Sequence, residues 1–488
     1  MMTFVNKKHR YAFRIPLSAL LASFISVQPV MAGEISFDQA WLLLQNENNA
    51  IAAQRANVER YRQLEQSKQA LNLPSVSFGA NYTRLDDDVT VSGDQLLDSL
   101  DSGSKAAIGQ LVTSPALAGL ASALSGVNPT STIAEKDIFT SSIRAVWPIF
   151  TGGRITSAQA IASGQTDEAI AQLKMESQAQ YDDLTKYYFS VVLAKEVLLT
   201  RQSVEEGLTK HRDFALKLEN QGQIAKVERL QAEASLAKAI VDRKKSQKDV
   251  EIAVSALTQI LNQSDKVHPD TQLFINRSLP PLSAFTEQTL NSYPGLALLD
   301  AKNKQASNLI KAERGRYYPE VFAYGNYTLY EGDTLASEMA PDWLVGVGVS
   351  IPLIDTSGRS ENMRAAQNSV LQVNHLRQQA KQDLTVLVEK TYFEAEQAIE
   401  EVEGLKASLN LAQENLKLRT KAFTQGISTS LEVVDAELYL ASIKTQQQLA
   451  RFNYVIALNR LLALASEMNS FNHYQSNAYQ SVTSKDAS

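Results

Sequence analysis

The chain reads as a mixed α+β membrane protein, duplicated internally, in which a few β-strands give way to very long helices. Three observations predict this. Residues 154–221 and 359–425 contain no proline, carry apolar positions at helical spacing and end on glycines, Gly222 and Gly426. At ~1.5 Å rise per residue each helix would be roughly 100 Å long, beyond the needs of a globular domain. Four shorter stretches alternate apolar with small or polar residues at strand period. Finally, the order helix, strand, loop, strand, long helix, turn, helix occurs twice.

The first fourteen residues hold Lys7, Lys8, Arg10 and Arg14 and no acid; an apolar run from Ile15 to Val27 and the small-residue site Val30-Met31-Ala32 follow. This pattern predicts a secretory signal over 1–32. Its removal would take four of the 47 basic groups and none of the 53 acids, leaving 43 against 53, a net −10. That balance argues against nucleic acid as a partner. The absence of cysteine excludes a disulfide scaffold and leaves no acceptor for lipid on a mature N-terminal cysteine. After the signal no apolar run reaches the ~18 residues of a transmembrane helix, so passage through a bilayer would require a closed barrel.

The first repeat is expected over 33–262. A helix over 33–73 carries Trp41, Leu44, Ile51, Val58, Tyr61 and Leu64 at spacings near 3 and 4; after Pro74 a strand runs over 75–85. The Ser-, Gly-, Ala- and Asp-rich segment 86–137 reads as an external loop whose part near 106–124 could form a short helix or plug. A second strand, 138–149, sets Phe139, Ile143, Ala145 and Trp147 on one face against Thr140, Ser142 and Arg144 on the other. A turn through Pro148, Gly152 and Gly153 leads into the helix 154–221, the turn at 222 and a helix over 224–261. Residues 263–285, with His268-Pro269 and Pro280-Pro281, are a linker. The second repeat, 286–466, predicts a helix, strands 320–331 and 342–353, a turn through Pro352 and Gly358, the helix 359–425, the turn at 426 and a helix over 428–466. Its second strand alternates Trp343, Val345 and Val347 with Leu344, Gly346 and Gly348. Pro319 stands for Pro74, Pro352 for Pro148 and Gly426 for Gly222. The polar tail 467–488 is expected to be disordered.

Strands of ~10–12 residues suit a tilted transmembrane β-strand. Phe139, Trp147, Trp343, Val345 and Val347 would then face lipid, and Arg144 a water-filled lumen. Four strands cannot close a barrel, whose smallest bacterial form has ~8, and lipid tolerates no open edge. Several chains must share one barrel; two copies would give eight strands and three would give twelve. On the helix after Gly426, Leu431, Val434, Leu438 and Ala441 form a narrow seam suited to side-by-side helices.

The duplicated Pro-strand-Asn-Tyr-Thr elements (Asn81-Tyr82-Thr83 and Asn326-Tyr327-Thr328), the Pro148-Ile-Phe-Thr-Gly-Gly-Arg154 and Pro352-Leu-Ile-Asp355 turns, and the segment Phe423–Glu437 resemble the TolC-type outer-membrane efflux family over about residues 34–466. The resemblance implies a homotrimer with a twelve-stranded barrel in the outer membrane of a Gram-negative bacterium. A twelve-helix tunnel would continue it across the periplasm to a periplasmic adaptor and an inner-membrane pump. It also implies a constriction at the far end of the rods, ringed by the acids Glu432 and Asp435, with Glu228 at the matching position of the first repeat. Such rings favour cations, and like charges at close range raise carboxyl pKa values. Well-known members latch the closed mouth with an arginine and a tyrosine where this chain has Ser428 and Phe423, so its closed state must be held otherwise.

The histidines His211, His268, His375 and His473 lack ligand spacing, and Asp86-Asp87-Asp88 lacks the alternation of a calcium loop. No nucleophile constellation or phosphate-binding loop is present. No metal, cofactor or catalysis is expected; transport would be passive, and efflux is not separated from type I protein secretion. The rival reading is a soluble periplasmic coiled-coil adaptor or spacer, which explains the rods but not the strand faces.

Overall fold

The computed structural model describes residues 34–92, 95, 98–112, 130–331, 341–354 and 356–483; the expected signal 1–32 lies outside them. In chain order the first repeat comprises β1 (Glu34–Ile35), α1 (Phe37–Glu47), α2 (Asn49–Gln69), β2 (Ser75–Arg84), β3 (Val89–Ser92), α3 (Ser102–Val112), β4 (Thr130–Ala134), β5 (Asp137–Phe150), α4 (Arg154–Asn220) and α5 (Lys226–Ile260). After β6 (His268–Pro269) come α6 (Leu282–Ser292), α7 (Pro294–Gly315), β7 (Glu320–Tyr330), β8 (Trp343–Ser350), α8 (Arg359–Thr424), α9 (Ser430–Leu464) and α10 (Phe471–Thr483).

The duplication is close at the level of single residues. Helices α1, α2 and strand β2 start at 37, 49 and 75, and α6, α7 and β7 at 282, 294 and 320, a constant offset of 245. Helices α5 and α9 both have 35 residues and start at 226 and 430, an offset of 204. The left-handed residues that end them, Asn262 and Ser466, keep that offset.

Several expected boundaries change. The helix expected over 33–73 is two helices. Asn48 adopts extended backbone, and its side-chain oxygen accepts from the N–H groups of Ala50 and Ile51, capping α2. Tyr293 and Pro294 make the matching break in the second repeat, whose first helix begins at Leu282, just after Pro281, rather than at 286. The loop 86–137 holds an antiparallel ribbon, β3 with β4, and the helix α3; residues 113–129 lie outside the described set. Strand β8 stops at Ser350 instead of 353, because its partner β7 begins at Glu320, opposite Ser350. The tail is not disordered where it is described. Phe471 and Ala478 fall on one face of α10 and are buried, Phe471 against Phe37, Phe189 and Phe274. Too few apolar residues mark this helix for composition to reveal it.

The four long strands form one antiparallel sheet in the order β2-β5-β7-β8. Cross-strand partners share a face. Val76 faces Ala145, Phe78 faces Ile143 and Tyr82 faces Phe139; Trp147 faces Ala323, which faces Val347, and Tyr327 faces Trp343. One sheet surface is therefore mainly apolar and aromatic, broken by Ser141 opposite Ala80 and by the Arg84–Asp137 pair at its edge, and Val345 on it is 74 % exposed. The other surface carries Ser77, Arg144 and Asn326 in one row and Gly79, Ser142 and Thr328 in another. Tyr324 and Phe322 also lie on it, each over a glycine of β8, Gly346 and Gly348.

The turns from strand to rod need glycine. Gly152 and Gly153 have φ of 64° and 81°, and Gly358 has φ of 65°. A Cβ on Gly152 would run into the carbonyl oxygen of Gly315, so the close approach of the two repeats depends on both lacking side chains. Arg154 and Glu320 pair beside it.

Helix α4 packs along α2 and α7 in its first half, where Lys304 pairs with Asp167 at 2.7 Å, and along α5 and α9 in its second, where Arg243 pairs with Glu205 at 2.8 Å. Helix α8 runs beside α7 and α9. The main core encircles the middle of α4. Tyr181, Leu184, Tyr188 and Phe189 meet Phe37, Trp41, Phe274, Phe471 and the Tyr454–Leu464 end of α9 there. The linker takes part: β1 pairs with β6, and the Tyr188 hydroxyl donates to the Ile35 carbonyl at 2.6 Å. In the part of α9 nearer the tip the buried apolar positions include Val433, Val434, Ala436, Leu440, Ala441 and Ile443; Leu431 and Leu438, expected in the seam, are exposed on this chain.

Candidate functional site at the tip of the rods

The rods end in two matching turns. Gly222 and Gly426 both have φ of 72°. In each, the next residue's N–H reaches back five positions, Gln223 to Leu218 and Ile427 to Ala422, both at 2.9 Å. This left-handed cap satisfies carbonyls a helix end would otherwise leave open, at a conformation glycine adopts without strain.

Beyond the turns the two repeats differ. The N-cap of helix α5, Ala225, offers no side-chain cap, whereas α9 starts with a capping box between Thr429 and Glu432. Glu432 Oε2 accepts from the Thr429 N–H at 3.0 Å and from the Ser428 hydroxyl at 2.5 Å, and Oε1 accepts from Arg419 at 3.0 Å. The Ser428 and Thr429 hydrogen bonds, helped by Arg419, hold the Glu432 carboxyl below its usual range. Like-charge crowding was expected to raise it; within one chain the donors win. Asp435 is exposed. Glu228 turns towards the other hairpin, accepting the Ser430 N–H at 2.6 Å and thereby capping α9 from α5.

Ser430 is wholly buried, and its hydroxyl lies 2.7 Å from His211 Nε2 on α4. The His211 ring also lies 4.5 Å, centroid to centroid, from that of Phe423 on α8. Phe423 fills a small core with Ala215, Leu218, Ala232 and Val433. Helices from all four rod segments thus meet at one histidine, whose pKa is pushed down by burial against the opposing influence of Glu228. Within the first hairpin the partly buried Arg229 bridges Glu219 and Glu233. Among the described residues no group of three or more His, Asp or Glu could hold a metal ion.

Of the residues singled out from sequence, Glu228, Glu432 and both glycines come together at the tip with Asp435 nearby, while Arg144 and the aromatic strand residues lie at the opposite end. His211, which lacks ligand spacing, is not among the site residues the sequence predicts. A signal was present: Val204, Leu208, His211, Ala215 and Leu218 recur at intervals of four and three, which places a histidine in the buried stripe of a coiled coil.

A family model described as outer membrane efflux protein matches residues 42–263 and 286–467. The chain belongs to this family. Its sheet is accordingly seated in the outer membrane, its rods extend into the periplasm, and it serves as an exit duct of efflux. Solved structures of similar fold include the MtrE outer membrane channel of Neisseria gonorrhoeae in its open state, with TM-score 0.68, 18% identity and coverage of 88% of this chain and 89% of that one. VceC of Vibrio cholerae has TM-score 0.68 at 12% identity, covering 88% and 96%. CmeC of Campylobacter jejuni has TM-score 0.66 at 13% identity, covering 96% and 94%. A search of curated protein sequences finds no match. The family is one of channels and not of enzymes, and it matches both repeats on either side of the linker.

Proposed function

We propose that three copies of this chain close a twelve-stranded barrel and a twelve-helix tunnel, which a periplasmic adaptor joins to an inner-membrane pump. Transport is passive: the tip opens, and substrate diffuses through a polar lumen. One observation carries the reading. The sheet has one surface fit for lipid and one carrying Arg144, Asn326 and serines, and it runs directly into two rods of 67 and 66 residues. Among the described residues its outer strands β2 and β8 each have one partner, a state lipid does not tolerate.

The closed mouth is held by this chain's own contacts in place of an arginine–tyrosine latch. Glu228 and His211 fasten the start of α9 through Ser430, Phe423 packs beneath them, and Ser428 with Arg419 fixes Glu432. Asp435 presents its carboxylate towards the threefold axis. In planar bilayers Glu432→Ala with Asp435→Ala raises single-channel conductance and weakens block by multivalent cations; unchanged conductance and block would remove both acids from the mouth. Efflux and type I secretion are separated by a deletion strain scored for dye and bile-salt sensitivity and for loss of a secreted protein.

A further inference from the structure

We propose that β8 of one copy pairs antiparallel with β2 of the next in a single register, Gly348 opposite Asn81, Val349 opposite Ala80 and Ser350 opposite Gly79. This rests on the shared barrel proposed above and assigns its seam residue by residue.

The argument uses the duplication as a ruler. The offsets between repeats are 245 residues from β2 to β7, fixed by the element starts, and 204 from β5 to β8, fixed by Pro148 and Pro352. The hairpins test them independently. Ser77 faces Arg144 in the first; shifted by these offsets the pair becomes Phe322 and Gly348, which face each other in the second. The two hairpins therefore share one register. Inside the chain the repeats meet where β5 pairs with β7: Arg144 faces Asn326, Ala145 faces Gly325 and Val146 faces Tyr324. Moving the β5 residues forward by 204 and the β7 residues back by 245 gives the register stated above. Its faces agree, although face was not used to derive it. Val347 and Val349 meet Tyr82 and Ala80 on the apolar surface, and Gly348 meets Asn81 on the polar one. A slip of one residue would place every apolar side chain of one strand on the wrong surface.

The fastening beside the strands does not repeat. Arg154 pairs with Glu320 inside the chain, but the residue 245 positions before Glu320 is Ser75. Arg359, the counterpart of Arg154, instead donates to the carbonyls of Arg316 and Pro352 and lies over the Tyr317 ring. The turn after Pro352 is one residue longer than that after Pro148, so the offset there is 205, as from Arg154 to Arg359, and the Gly152–Gly315 approach becomes Ser357 against Ala70, which carry side chains. At the seam between copies the strands themselves set the register.

The chain has no cysteine, so paired cysteines report on this seam alone. Strands β2 and β8 are separated by two others, roughly 14 Å within one copy, too far for a disulfide inside the chain. The full chain in detergent, carrying Val349→Cys with Ala80→Cys, shifts on mild oxidation from a one-chain to a three-chain band in non-reducing denaturing gels. Val347→Cys with Tyr82→Cys does the same and guards against a folding defect in the first pair. The slipped pair Val349→Cys with Tyr82→Cys stays at one chain. Linkage of the slipped pair instead of the other two would overturn the register and leave the shared barrel standing. No linkage in a particle that still contains three chains would overturn strand pairing at this seam, and a one-chain particle would overturn both proposals.

Discussion

His211 is the buried titratable group that joins α4 to α9 at the tip, and burial lowers its pKa. Its lowered pKa means that a released tip takes up a proton before a packed one does. Its contribution to closure is complete above the ordinary histidine range and is lost as pH falls through the lowered value. Glu432, also held low, behaves likewise in a more acid window: its contribution is complete above the ordinary glutamate range and fades below it. Conductance therefore rises as pH falls from neutral. His211→Gln, which can keep a bond to Ser430 but does not titrate, loses the part of that rise centred below the histidine range and keeps the more acid part. An identical pH profile in wild type and variant would remove His211 from the latch. The residue was visible as a polar member of a 4-3 stripe, but its partner stands 219 positions away on another rod. Nothing in the local sequence of either residue points to the other.

At the scale of elements, long and repeated features were legible and short or singly marked ones were not. The rods and their glycine turns repeat one signal over tens of residues, and the strand faces are set by simple alternation. The break at Asn48 is not legible in sequence because asparagine is tolerated inside helices, and only its cap geometry reveals the stop. Helix α10 is not legible either, because Phe471 and Ala478 are isolated among polar residues. Phe471→Ala costs about 3–5 kcal/mol, as expected for emptying a packed aromatic site, and thermal unfolding in detergent measures it. A tail with no structural role would leave the transition unmoved. The turn glycines separate in the same assay. Gly153→Ala meets open space and carries only the left-handed strain of about 1–2 kcal/mol, whereas Gly152→Ala carries that strain and a clash with the Gly315 backbone. Equal losses at the two positions would contradict the close approach of the repeats.

For the whole molecule, this chain is an incomplete wall. Val386, Phe393, Leu411 and Ile427 are exposed along α8 and the tip just beyond it, as Val345 and Trp343 are on the sheet. Lipid can cover the sheet; the rods lie in water, and apolar surface there calls for helices of other copies. The sequence made the need for partner copies legible through the count of four strands, but left two and three copies open, since either closes a barrel. The most direct measurement is the mass and shape of the detergent-purified particle. The account predicts three chains in a long, hollow, threefold object. A compact single chain that stays in solution without detergent would contradict it.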